Sequence, residues 1–128
     1  MKKIVCAVAG VLCAVAASAD DAVLQVWTCT LNEGHTLEEL IDVHEKWVKW
    51  ASDQPGGEDV EGSILTSVIS ENVDSVLIVD SWASPSDMTA SWKAYMDTVG
   101  EDMEAAYDEV STCSSNSLWY AREIEADD

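Results

Sequence analysis

The apolar positions of this chain change period several times, and each change marks an element. Ala22 to Leu31 is rich in Val, Leu, Trp and Thr and predicts a strand. A short turn, Asn32-Glu33-Gly34-His35, follows. Thr36-Leu37-Glu38-Glu39 then reads as a capping box, in which Thr36 covers free backbone amides and Glu39 reaches back. Leu37, Leu40, Ile41, His44, Trp47, Val48 and Ala51 recur at helical spacing. The opposite face holds Glu38, Asp42, Glu45 and Lys49. Asp53-Gln54-Pro55-Gly56-Gly57 stops this helix and opens an acidic loop through Glu61. Two strands are expected next, Ser63 to Ser70 and Ser75 to Trp82, joined by a hairpin loop at Glu71-Asn72-Val73-Asp74.

Ser84-Pro85-Ser86-Asp87 suits the start of a second helix: a capping serine, a proline in the first turn and an acid at the positive end of the dipole. Met88, Trp92, Tyr95, Met96 and Val99 form its apolar stripe. Gly100 should break or kink it, and Met103, Ala106, Tyr107 and Val110 continue the helical spacing beyond. Cys113 to Ser117 reads as a loop, Leu118 to Ile124 as the last strand, and Glu125 to Asp128 as an acidic tail. The order is β-α-β-β-α-β, the α+β, ferredoxin-like arrangement of a four-stranded antiparallel sheet with two helices on one face.

That topology makes the first and last strands antiparallel neighbours. Cys29 near the end of the first then lies close to Cys113 near the start of the last, which predicts a disulfide between residues 84 positions apart. Both faces of the sheet are apolar. Leu24 and Val26 point one way and Val23, Trp27 and Leu31 the other; Val76, Ile78 and Trp82 oppose Leu77 and Val79. Two helices cover one face, so the other calls for a second protomer or an apolar ligand.

The strand ending Trp27-Thr28-Cys29-Thr30-Leu31, the turn Glu33-Gly34-His35-Thr36 and the helix with Trp47 resemble the small dimeric α+β-barrel proteins. Val79-Asp80-Ser81-Trp82-Ala83-Ser84 leading into a helix with Trp92 fits the same pattern. That superfamily includes the antibiotic-biosynthesis-type monooxygenases, stress-responsive barrel proteins and NIPSNAP-like proteins. The resemblance implies a homodimer whose sheets pack together and a pocket between each sheet and its helices. No catalytic motif of the superfamily is matched.

The amino terminus changes the setting. Lys2 and Lys3, the apolar run Ile4 to Ala17 and Ala17-Ser18-Ala19 compose a cleavable signal peptide, residues 1–19, ahead of a single domain over residues 20–128. Export to the periplasm or medium is expected, with no membrane attachment after cleavage. Cys6 and Cys13 would leave with the signal, and Cys29 and Cys113 would remain in an oxidising compartment. All 25 acidic residues fall after Ala19 against Lys46, Lys49, Lys93 and Arg122, so the mature formal charge is −21. Such a surface repels phosphate backbones and anionic lipids, which excludes nucleic-acid and peripheral membrane binding as functions.

Candidate chemistry is sparse. His44, on the helical apolar stripe, reads first as a semi-buried histidine hydrogen-bonded in the core and second as a pocket acid, base or ligand. Asp80 interrupts an apolar strand on the face of Ile78 and Trp82, where burial would demand a partner; Arg122 is the natural one by charge. Five of six tryptophans, Trp27, Trp47, Trp82, Trp92 and Trp119, are candidate walls of an aromatic pocket for a flat or apolar ligand, against the plainer reading of a large-residue core without phenylalanine. No spacing of His or Cys supports zinc, the acidic loop at Glu58 to Glu61 lacks the grammar of a calcium loop, and no cofactor is called for. Because the polar candidates look scattered, the preferred expectation is a non-enzymatic module that binds a small apolar molecule or a partner protein. The alternative is a cofactor-independent, monooxygenase-like enzyme using His44 and an aromatic pocket.

Overall fold

The computed structural model describes residues 21–68, 74–122 and 124–126. The proposed signal peptide and most of the expected hairpin loop, Glu71 to Val73, lie outside the described residues. Four strands and three helices follow in the order β1 (Ala22–Leu31), α1 (Leu37–Ser52), β2 (Glu61–Thr66), β3 (Ser75–Trp82), α2 (Pro85–Thr98), α3 (Gly100–Val110) and β4 (Ser111–Ala121). The strands form one antiparallel sheet in the order β2-β3-β1-β4, an α+β ferredoxin-like fold. Among the described residues no helix is long and apolar enough to cross a membrane.

Both helix starts obey local chemistry. The Thr36 hydroxyl accepts from the Glu39 amide at 3.3 Å, and the Thr36 amide donates to Glu39 Oε2 at 2.7 Å. Ser84 Oγ accepts from the Asp87 amide at 3.2 Å, with Pro85 opening α2. The chain breaks at Val99, whose backbone leaves helical values (φ −111°, ψ 0°), and α3 restarts at Gly100. The expected second helix is therefore two helices, which lets α3 turn and pack against α1.

The carboxy-terminal strand departs most from expectation. Cys113 to Ser117, expected as a loop, belongs to β4, which pairs along the whole of β1. Its serines, threonine and asparagine suit a turn when read alone, but main-chain pairing with the central strand satisfies their amides and carbonyls. A register shift at Thr28/Cys29 marks a bulge there. β2 also starts two residues early and ends at Thr66.

Sheet alternation divides the side chains. Val23, Gln25 and Cys29 of β1 and Val76, Ile78, Asp80 and Trp82 of β3 are buried beneath the helices. Two apolar clusters form there, one around Leu40, Ile78 and Val110 and the other around Trp47, Trp82 and Tyr95. The opposite face carries Leu24, Val26, Leu77 and Val79, half-buried, and the exposed Leu65 and Trp119.

Cys29 and Cys113 face each other across β1 and β4 and are joined by a disulfide, as the topology predicts. The bond closes a loop with a sequence separation of 84, which in the chain-entropy account is worth about 4–5 kcal/mol and often less in practice. Thiol titration of the denatured, unreduced protein lacking residues 1–19 should find no free thiol. Reduction should lower the unfolding free energy by up to about 4–5 kcal/mol. Two reactive thiols per chain before reduction would contradict the pairing.

Candidate functional site

Asp80 is the residue around which the interior is arranged. It stands in a row across the sheet, opposite Gln25 of β1 and Gly62 of β2. All three positions face the helices, and a carboxylate there has lost most of its water: Asp80 is 4% exposed. Burial pushes its pKa up, while the neighbouring His44 pulls the other way and does not win.

His44 reaches Asp80 from α1. Its Nε2 lies 2.9 Å from Asp80 Oδ1, and its Nδ1 lies 2.8 Å from the hydroxyl of Tyr107 on α3. The Asp80 contact is short, but the carboxylate oxygen sits off the axis of the ring N–H, so it is a close electrostatic contact more than an aligned hydrogen bond. Burial pushes the Tyr107 hydroxyl pKa well up, with the Asp80 carboxylate adding to the rise, so Tyr107 keeps its proton. With Tyr107 donating to Nδ1, the ring proton sits on Nε2 and faces Asp80. The reverse direction needs either a second ring proton or a protonated Asp80. The chain Asp80–His44–Tyr107 thus has two arrangements that differ by the position of protons.

The contact depends on a missing side chain. A Cβ on Gly62 would stand 2.7 Å from His44 Nε2 and 2.6 Å from Val48 Cγ2. Only glycine lets β2 pass this close to α1, which seats the imidazole over Asp80. Trp47 stacks on the imidazole, with centroids 5.6 Å apart and planes within 4°.

Asp80 and Tyr107 open onto a cavity of about 330 Å³ between the sheet and the helices. Trp27, Trp47, Trp92, Tyr95 and Tyr107 make its aromatic walls, and Ile78 and Cys113 contribute from the sheet. Glu104 and Asp108 of α3 add two further carboxylates to the lining. The indole N–H of Trp92 donates to Gln25 Oε1 at 3.1 Å, and Gln25 Nε2 donates to Asn116 Oδ1 at 3.2 Å, so a buried amide fixes the orientation of one wall. Among the described residues no three His, Cys, Asp or Glu side chains converge as metal ligands.

Of the sequence candidates, Trp27, Trp47, Trp92 and Asp80 lie on this cavity. His44 does not line the cavity; it is buried behind it, with Nδ1 against the Tyr107 hydroxyl. Trp82 is fully buried beneath Trp47, in a T-shaped contact at 6.0 Å, and does not reach the cavity. Trp119 is 59% exposed on the far face of the sheet. Arg122 does not meet Asp80; it contacts Asp21 at 3.4 Å on the surface, because β1 lies between β3 and β4. Sequence reasoning missed Gln25, Gly62 and the role of Tyr107. Gln25 carried the same signal as Asp80, a polar residue interrupting an apolar face, and Gly62 carried none.

No known family profile and no characterised protein sequence matches the chain. Solved structures do. SnoaB from Streptomyces nogalater, a cofactor-independent oxygenase, is 18% identical and aligns over 81% of this chain and 96% of its own, with a TM-score of 0.59. A Shewanella loihica protein with a monooxygenase designation is 15% identical over 81% and 97% of the two chains, at a TM-score of 0.54. A Chloroflexus aurantiacus protein designated for antibiotic biosynthesis monooxygenation is 15% identical over 82% and 97%, at 0.51. At these identities the likeness is one of fold, and it is the fold that the tryptophan-bearing strand and helix patterns resemble.

Asp80 offers a direct check through pH. Its folded pKa is raised, so its contribution to stability is complete below the unfolded carboxylate range and is lost as pH rises through the folded pKa. Asp80→Asn removes that loss. Thermal unfolding should show the variant more stable than the parent at neutral pH, with the difference shrinking as pH falls through the carboxylate range. A variant less stable at neutral pH than at acid pH, relative to the parent, would refute this account of the buried carboxylate.

Proposed function

We propose that the protein is an exported, cofactor-independent enzyme that binds a flat aromatic substrate between the sheet and the helices and removes a proton from it. The observation that carries this reading is the Asp80–His44–Tyr107 chain opening onto a tryptophan-walled cavity. A raised carboxylate pKa brings Asp80 toward the range where a base both accepts and returns a proton. Tyr107, still protonated, is placed to donate to an oxygen on which negative charge develops. His44 acts as a positioning residue that couples the two, and Trp27, Trp47 and Trp92 orient a ring and exclude water.

The preference for a non-enzymatic binder rested on polar residues that looked scattered. Two of them, His44 and Asp80, meet here and are joined by Tyr107, which favours the enzyme. SnoaB has this fold and is a cofactor-independent oxygenase. Such chemistry asks for a base and a dry aromatic pocket: a substrate anion gives its electrons to molecular oxygen, so that an activated methylene becomes a carbonyl and the second oxygen atom leaves as water. Both requirements have counterparts in this chain. The disulfide suits an oxidising compartment and so agrees with export.

The test is oxygen consumption with a panel of polycyclic aromatics bearing an acidic C–H, each offered with and without an ammonium substituent. The parent should turn over at least one of them. Asp80→Asn should cost about 10²-fold or more in kcat, the usual weight of a general base. His44→Ala and Gly62→Ala should act alike, since either removes the imidazole from its place over Asp80. Binding of substrates without any turnover by the parent would return the protein to the binding-module reading.

We also propose a homodimer through the sheet face away from the helices. Leu24, Val26, Leu77 and Val79 are only half-covered within one chain, and Leu65 and Trp119 add exposed apolar area beside them. Sedimentation at micromolar concentration should give twice the chain mass. Val26→Asp should give monomer or aggregate, because an unpaired buried carboxylate is costly. A well-folded parent monomer at every concentration would remove the proposal.

A further inference from the structure

The cavity holds more negative charge than proton transfer requires. Asp80 supplies one carboxylate at its base. Glu104 and Asp108 supply two more at its mouth, one helical turn apart on α3, where both side chains are exposed yet line the opening. None of the lining residues is Lys, Arg or His. The placement has a cost in the helix. Like charges at i and i+4 oppose each other, and Asp108 lies near the negative end of the helix dipole, which carries no basic residue in its last turn. The field also acts inward: burial first, then Glu104 and Asp108, raise the Tyr95 hydroxyl to about 12. The whole chain is acidic, so charge alone decides nothing; what matters is that acids and aromatic faces meet on one opening.

Trp27, Trp47, Trp92 and Tyr95 present ring faces or edges to the same space. Aromatic faces carry negative potential, and tryptophan is the strongest of them toward a cation. Carboxylates at the rim of such a cage select the same sign. A neutral flat ring would find the walls but would have no use for the rim, and an anionic one would be repelled by it.

We infer that the substrate is an aromatic ring carrying a positive charge, an amine or a quaternary nitrogen, with the ring held among the tryptophans and the charge at Glu104 and Asp108. The inference rests on the proposed aromatic pocket and adds to it the substrate's charge. It requires no redox or covalent step beyond those already proposed.

The test uses calorimetric titration of the purified oxidised protein with three probes of one skeleton: naphthylmethylammonium, naphthylmethanol and naphthoate. The ammonium should bind about tenfold or more tightly than the alcohol, consistent with a partly desolvated cation–aromatic contact plus two carboxylates. Naphthoate should show no binding. The double variant Glu104→Gln/Asp108→Asn should bring the ammonium to within about threefold of the alcohol and leave the alcohol unchanged, since only the rim charge is altered. Both positions are exposed, so folding is preserved, and circular dichroism of the variant checks this. Equal binding of ammonium and alcohol by the parent, or no binding of either, overturns the inference. A cation preference that survives the double variant overturns the assignment to Glu104 and Asp108. Loss of turnover bears on the catalytic reading alone, so charge selection without any turnover would leave this inference standing while the enzyme reading fell.

Discussion

Burying a carboxylate in the middle of a sheet is the constraint that shapes the rest of this protein. Asp80 faces the helices from β3, one of the two interior strands, and is nearly inaccessible to solvent. An isolated charge there would cost more than a domain of this size can spare. Its neighbours answer that cost in different ways. His44 offers a polar ring atom at 2.9 Å, Gly62 yields the space for that ring, and Tyr107 holds the ring's other nitrogen. The restart of the chain at Gly100 is what brings Tyr107 to this point, because α3 packs on α1 where a straight continuation of α2 would not. A feature that looks like a helix break in the sequence is thus part of how the interior carboxylate is accommodated.

The neutralisation is incomplete. His44 lowers the Asp80 pKa, yet desolvation outweighs it and the net shift is upward. A fully satisfied structural carboxylate would go the other way, since hydrogen bonds and positive neighbours favour the charged form. Burial without full compensation lowers stability at neutral pH, and groups perturbed in this way cluster at functional sites. The same reasoning separates Asp80 from Gln25, its neighbour across the strand. Gln25 donates to Asn116 and accepts from Trp92, so its polar atoms are matched and its role is to hold a wall.

Much of the fold was legible in the sequence because periodicity and caps are local. The capping box at Thr36, the Ser84-Pro85 start and the alternation of β3 each appear in place. The cysteine pairing was legible as well, since strand order alone brings Cys29 beside Cys113. What was not legible is what depends on a partner. The serine-rich stretch after Cys113 has no strand character of its own and becomes β4 only by pairing with β1. Tyr107 reads as one more apolar position on a helix until the angle between α2 and α3 is known. Gly62 is silent, because its function is the absence of a side chain opposite one particular imidazole. Trp82 and Trp119 were indistinguishable from the cavity tryptophans by type; one is sealed beneath Trp47 and the other faces away.

The disulfide ties these layers together. It joins the two strands that flank the cavity floor, and Cys113 itself lines the cavity. β4 contributes little to the apolar core; most of its side chains are exposed. Its attachment to β1 therefore relies on main-chain pairing, on side-chain hydrogen bonds such as Gln25 to Asn116, and on this one covalent link, which constrains the unfolded chain across most of the domain. An acidic surface pushes in the opposite direction, because like charges repel most strongly in the compact state. A small domain that carries a buried carboxylate, an interior cavity and a heavy negative charge has given up stability in three places. A long-range covalent tie at the edge of that same cavity is where the fold recovers part of it.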